Sequence, residues 1–244
     1  MNKKVVLLIG LLLAGAVILV TVVYLQTPKA FLTEEEIMDE LYLTNSSSRV
    51  KEIQDIVPLD DRSMFVPFIL EGDRYASSIW MWLGGKWENV SVTTSSGPIS
   101  WTSKDGTETF FTWNVDPQDK VEYFQFYLLS ERYFQVTNVN ANDRIEIYLP
   151  KIQIAHRVPV DETSYGAVPI PEEWAGIIES FNEVNDFHGW FMDYQSHQTY
   201  FAWQAFNEMD KEIRLEKTYG DGGGGYSTGS YTEPLQFINE GDLE

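Results

Sequence analysis

The sequence predicts a mainly β protein: an N-terminal transmembrane helix followed by an antiparallel β-sandwich ectodomain with a smaller α+β C-terminal portion. Three observations carry this reading. An uncharged apolar run fills residues 5–25. Short stretches rich in aromatic and β-branched residues, divided by turn signals, succeed one another from 64 to 154, the pattern of antiparallel sandwiches and barrels. Beyond Pro159 that rhythm gives way to prolines and one helical stripe.

Residues 1–4 read as a cytoplasmic stub and residues 5–25, VVLLIGLLLAGAVILVTVVYL, as the span. At about 1.5 Å per residue a helix of that length crosses a hydrocarbon core of about 30 Å. A cleaved secretory signal has a shorter apolar stretch and a small-x-small exit. Here Ala14 and Ala16 lie in the middle of the run, and the polar exit carries Pro28. Lys3 and Lys4 precede the run, so the positive-inside rule keeps the N-terminus in the cytoplasm and puts the rest outside. The expectation is a single-pass cell-membrane protein whose first partner is the lipid bilayer.

Residues 26–63 read as a helical juxtamembrane linker. Thr33 and Glu36 have capping-box spacing, and Ile37, Met38, Leu41 and Tyr42 form a stripe at helical period, predicting a helix from 34 to about 43. Asn45-Ser46-Ser47-Ser48 ends it, and a second helical or irregular piece is expected through Val50, Ile53 and Ile56 before Pro58.

Residues 64–158 read as the β-sandwich domain, with strands at 64–71, 77–83, 86–94, 99–103, 107–115, 121–129, 133–139 and 144–154. Gly84-Gly85 and Asp105-Gly106 are hairpin turns, and Asn140-Ala141-Asn142-Asp143 is a polar loop. Closing on Gly84-Gly85 sets Trp82 opposite Trp87, Trp80 opposite Asn89 and Met81 opposite Glu88; closing on Asp105-Gly106 sets Trp101 opposite Phe110. By strict alternation Ile79, Met81, Val90 and Val92 share one face, and Trp80, Trp82, Trp87, Asn89 and Ser91 the other.

Residues 159–219 read as the α+β portion. Proline after Val158, Val168 and Ile170 favours extended backbone. Pro171 then opens a helix with Glu172 and Glu173 at its positive end and Trp174, Ile177, Ile178 and Phe181 as its buried stripe. Residues 187–205 can form a hairpin closing at Ser196-His197, pairing Trp190 with Trp203 and Met192 with Phe201. A helix over 202–217 competes with it. Residues 220–244, with Gly222 to Gly225 consecutive, read as a flexible Gly-rich acidic tail.

The chain has 244 residues, 17 basic against 37 acidic side chains and no cysteine. Thiol nucleophiles, thiolate metal sites, iron–sulfur clusters and disulfides are thereby excluded. The net charge of −20 argues against nucleic acid as a partner, because phosphate binding draws on clustered Lys and Arg. No GxSxG elbow, phosphate loop, dinucleotide fingerprint or EF-hand occurs in the sequence, and no cofactor is expected.

Two constellations could carry chemistry. Trp80, Trp82, Trp87 and Asn89 on one hairpin face could stack on sugar rings and bond their hydroxyls; core packing is the competing fate of these indoles. Asp186, His188 and Asp193 could hold a metal, a reading disfavoured because no HExxH spacing is present. Asn45 and Asn89 each begin an N-glycosylation pattern.

The leading expectation is a single-pass membrane-anchored extracytoplasmic binding or interaction protein without catalytic activity, with an envelope protein or glycan as partner. The alternatives are an anchored envelope glycan-binding protein or glycan hydrolase, and a laterally assembling pilin-like subunit.

Overall fold

The computed structural model describes residues 15, 27–44, 49–140, 143–160, 163–188, 199–220 and 222–243. Of the apolar run 5–25 only Gly15 is described, so the expected span lies outside the described residues apart from that one helical position. Among the described residues no helix is long and apolar enough to cross a membrane. Of the described residues, strand accounts for 50% and helix for 16%, a mainly β structure with antiparallel sheets.

Helix α1 (Glu34–Thr44) opens at the capping box. The Thr33 N–H donates to Glu36 Oε2 at 2.8 Å and the Glu36 N–H to Thr33 Oγ1 at 3.4 Å, satisfying donors that a helix start leaves open. Ile37 and Leu41 are buried. The piece expected to be helical or irregular is instead extended: β1 (Val50–Ile53) and β2 (Val57–Asp60) both pair with β3 (Ser63–Leu70). β-Branched residues favour a pleated backbone, and Pro58 is tolerated because β2 pairs on one side only.

Strands β4 (Arg74–Leu83) and β5 (Lys86–Thr94) turn through Gly84 and Gly85, both at positive φ. Leu83 pairs with Lys86 next to the turn, followed by Trp82 with Trp87, Met81 with Glu88 and Trp80 with Asn89. One step further Ile79 pairs with Ser91, which leaves Val90 as a bulge. Val90 stays with Ile79 and Met81, but Val92 packs with Trp80 on the other face. Strict alternation therefore fails for Ser91 and Val92, because one extra residue reverses the parity of the strand.

Strands β6 (Ile99–Thr102) and β7 (Thr109–Asn114) follow, with Trp101 opposite Phe110. A 3-10 turn (Pro117–Asp119) leads to β8 (Tyr123–Ser130), β9 (Tyr133–Asn140), β10 (Asp143–Leu149) and β11 (Ile152–Pro159). The strand expected over 144–154 is thus two strands; Pro150 divides them, having no N–H to give to a ladder. The remaining elements are β12 (Tyr165–Pro169), α2 (Glu172–His188), β13 (Tyr200–Phe206), β14 (Glu212–Ile213), α3 (Glu216–Tyr219), β15 (Gly224–Ser227), β16 (Thr232–Pro234) and β17 (Gln236–Phe237).

Three sheets form a stack. The first has the order β1-β3-β4-β5-β15, the middle one β12-β7-β6-β16 and the third β11-β8-β13-β14, with β17 parallel to β13. Phe65, Ile79, Met81 and Val90 of the first sheet meet Trp101 and Phe110 of the middle sheet. The other face of the middle sheet sends Phe111 and Trp113 against Phe124, Phe126, Leu128 and Trp203 of the third, with Trp174 of α2 closing the side. Helix α1 covers the outer face of the first sheet, and Ile238 and Leu243 cover Tyr127 and Leu129 on the outside of the third. One core therefore joins residues from both sides of the expected boundary at 158/159.

Two further expectations are corrected. α2 runs on to His188, and β13 has β8 on one side and β14 and β17 on the other. Residues 187 and 188 are thus helical and Trp203 pairs with Phe237 and Phe126; the expected partners Trp190 and Met192 of the hairpin over 187–205 lie outside the described residues. The tail supplies β15, β16 and β17, one strand to each sheet of the stack. Its glycines serve close approach: a Cβ on Gly225 would stand 2.3 Å from the Val92 carbonyl oxygen, and one on Gly223 2.4 Å from that of Thr94.

The direction of each strand fixes what emerges at each end of the stack. The Gly84–Gly85 turn and the 103–108 turn share one end, since β7 runs away from it and the Asn114 Nδ2 bonds the carbonyls of Phe68 and Ala76, 3.2 and 2.6 Å away, at the far end of the first sheet. β8 then returns over β7, with Phe124 against Trp113 and Phe126 stacked on Phe111. Ser130, the last residue of β8, comes out at the Gly84–Gly85 end.

Candidate functional site

The hairpin that carries Trp80, Trp82, Trp87 and Asn89 is closed over. Trp80 is 0% and Trp82 5% exposed, and Trp87 is half-buried. Phe31, just before α1, packs edge-on against both Trp87 at 4.8 Å and Trp80 at 6.0 Å, and Trp82 meets Trp87 at 5.6 Å. The Trp80 indole N–H donates to Ser78 Oγ at 2.9 Å and that of Trp87 to the Lys29 carbonyl at 3.1 Å. Asn89 Oδ1 accepts from the Tyr226 hydroxyl, and its Nδ2 is buried without a hydrogen-bond partner. The expected platform is thus an interior surface roofed by residues 27–33. The apolar body of tryptophan outweighs its one polar atom once a cover is at hand.

The second constellation does not assemble within the described residues. Asp186 and His188 sit near the C-terminal end of α2, and Asp193 lies outside the described residues. Among the described residues no three His, Cys, Asp or Glu side chains come together as a metal site.

The feature that stands open lies where the sequence predicts ordinary sandwich strands. β9 and β10 form a two-stranded sheet by themselves: among the described residues, neither has any other strand as a partner. The pair leaves the third sheet at Ser130 and rejoins it at Ile152, forming an arm of about seven residues per strand. Phe134 is 59% exposed and Tyr148, directly opposite, 60%; Val136, in line with Phe134, is 38% exposed and paired with Glu146. Leu149, at the root, is buried.

A polar hollow of about 420 Å³ adjoins the root, lined by Glu131, Arg132, Lys151, Gly241 and Asp242. Tyr200 lies beside it, and burial first, then the carboxylates of Glu131 and Asp242, push its phenol above the usual tyrosine value. The ring therefore stays neutral at physiological pH and offers a hydroxyl rather than a phenolate. Mixed charge and a neutral phenol suit hydrogen bonding to polar groups better than proton transfer. At the same end of the stack, the Asp105 carboxylate accepts from the Ser103 and Thr107 hydroxyls and the Thr107 N–H, which holds its pKa down to about 2.

The arm's strands and its turn were legible in the sequence, but Phe134, Val136 and Tyr148 were not distinguishable from core residues, because alternation says which residues share a face and not what covers it. Comparison of the chain with protein-family models, with curated proteins and with solved structures gives no match.

Proposed function

We propose that this protein is a single-pass membrane-anchored, extracytoplasmic interaction protein that makes its contact through the β9–β10 arm. Residues 5–25 serve as the anchor, with Lys3 and Lys4 on the cytoplasmic side. The carrying observation is the exposed pair Phe134 and Tyr148 on a hairpin without a neighbouring strand among the described residues. An isolated two-stranded hairpin is marginal in water, and its outer edges offer unpaired backbone groups. Adjacent exposed aromatic rings are the residues that interfaces favour as anchors. A surface that costs stability when bare fits a contact that covers it.

Anchor and arm can be tested separately. Deleting residues 5–25 should move the protein from the membrane fraction to the soluble one. A photoreactive amino acid at position 134 or 148 should crosslink in intact cells, and one at exposed Met209, at the opposite end of the stack, should not. Retention of the deletion variant in membranes contradicts the anchor, and crosslinking no stronger at 134 and 148 than at 209 contradicts the arm.

A further inference from the structure

We propose that the Phe134–Val136–Tyr148 face of the arm rests in the headgroup region of the same bilayer that holds residues 5–25, so that the domain touches its membrane twice. This rests on the anchor reading and names the partner of the arm. Two observations made independently of one another meet here. The first is where the chain before the domain ends. Lys29 and Phe31 are fixed on Trp87 beside the Gly84–Gly85 turn, and the apolar run stops at Leu25. Residues 26–29 can span at most about 14 Å, so that end of the stack is held close to the bilayer. The second is that the arm leaves from that end: β8 delivers Ser130 there, and β9 and β10 continue outward. Seven residues of strand reach about 23 Å, enough to close the gap left by the tether.

Composition favours the bilayer over the other occupants. The chain carries 37 acidic groups, so a second copy is repelled as a whole, whereas residues 133–149 hold only Asp143, Arg144 and Glu146 as charges. Tyrosine is a residue of membrane–water interfaces, its ring apolar and its hydroxyl wet. The open edges of β9 and β10 set the depth: unpaired backbone groups cannot enter hydrocarbon but are satisfied by water among headgroups.

The absence of cysteine makes the test clean. Full-length single-cysteine variants Phe134→Cys, Tyr148→Cys and Met209→Cys are labelled with an environment-sensitive dye and reconstituted into phosphatidylcholine vesicles, with and without nitroxide-bearing lipid. Met209 is 74% exposed and follows β13, which runs away from the tethered end, so it serves as an equally apolar control. Tryptophan emission confirms that each variant is folded. The expected result is blue-shifted emission at 134 and 148 that nitroxide lipid quenches, and neither effect at 209. Dye at 134 and 148 as wet as at 209 overturns the proposal; so does dye that is shielded yet unquenched by the lipid, which would assign the arm to a second copy or another protein. Vesicle flotation separates the two readings. A chain that floats with a wet arm overturns this inference alone, and a chain that fails to float overturns the anchor and this inference together.

Discussion

Two hairpins of this protein have similar chemistry and opposite fates. The β4–β5 hairpin and the β9–β10 hairpin are both aromatic-rich and both lie toward the Gly84–Gly85 end of the stack, yet Trp80 is wholly buried and Tyr148 mostly exposed. The difference lies in their neighbours. β4 and β5 belong to a six-stranded sheet with the middle sheet on one face and Phe31, Ile37 and Leu41 on the other. β9 and β10 have only each other among the described residues. A strand's composition therefore states how much apolar surface it offers, and the chain elsewhere decides whether that surface becomes core or interface.

Removing the core member should have the largest effect. Trp80→Ala leaves a hole between α1 and the sheet and should cost about 3–5 kcal/mol, measured as a lower denaturation midpoint at unchanged slope. A cost near that of an exposed residue would mean that the two hairpins do not differ. Phe31→Ala, which opens the roof and spares the hairpin, should cost about 2 kcal/mol as a partly buried ring. It should also shift tryptophan emission to the red as Trp87 meets water.

Phe134→Ala and Tyr148→Ala should each change stability by about 0.5 kcal/mol or less while abolishing crosslinking from the arm. A large loss of stability would make the arm part of the core. The smallest effect concerns the 103–108 turn, which satisfies its own polar groups and needs no cover. Asp105 is held down from 3.8 to about 2 in the fold. Its contribution is therefore present above its ordinary value and is lost as pH falls through about 2. A carboxyl titration followed by NMR should show that midpoint in the wild type, and a midpoint near 3.8 would mean that the Ser103 and Thr107 bonds are absent in solution.

The sequence made much of this fold legible where the signal is local. The capping box at Thr33, the turns at Gly84–Gly85 and Asp105–Gly106, and the pairing of Trp101 with Phe110 all follow from residues a few positions apart. It failed where the deciding partner is distant. The bulge at Val90 has no residue that announces it. The tail looked like a linker because polyglycine also reads that way, whereas Gly223 and Gly225 are small so that the chain can lie on β5. The candidate site divides in the same way: the register of the tryptophan hairpin was readable, but its roof is set by Phe31, some fifty residues upstream. The openness of the arm reflects the lack of a further strand beside it among the described residues, and single-strand alternation carries no trace of that.

If tether and arm leave the same end of the stack, one pair of distances must show it. Spin labels at Lys86→Cys and Arg132→Cys mark the Gly84–Gly85 turn and the root of the arm; a second pair, at Glu71→Cys and Arg132→Cys, uses the opposite turn of the first sheet. Two sheet spacings separate the first pair by about 20 Å, and the length of β4 carries the second to about 40 Å. Pulsed dipolar spectroscopy on the full chain should find the first distance the shorter by that margin. Equal distances, or the reverse order, would place the arm away from the membrane and contradict the account.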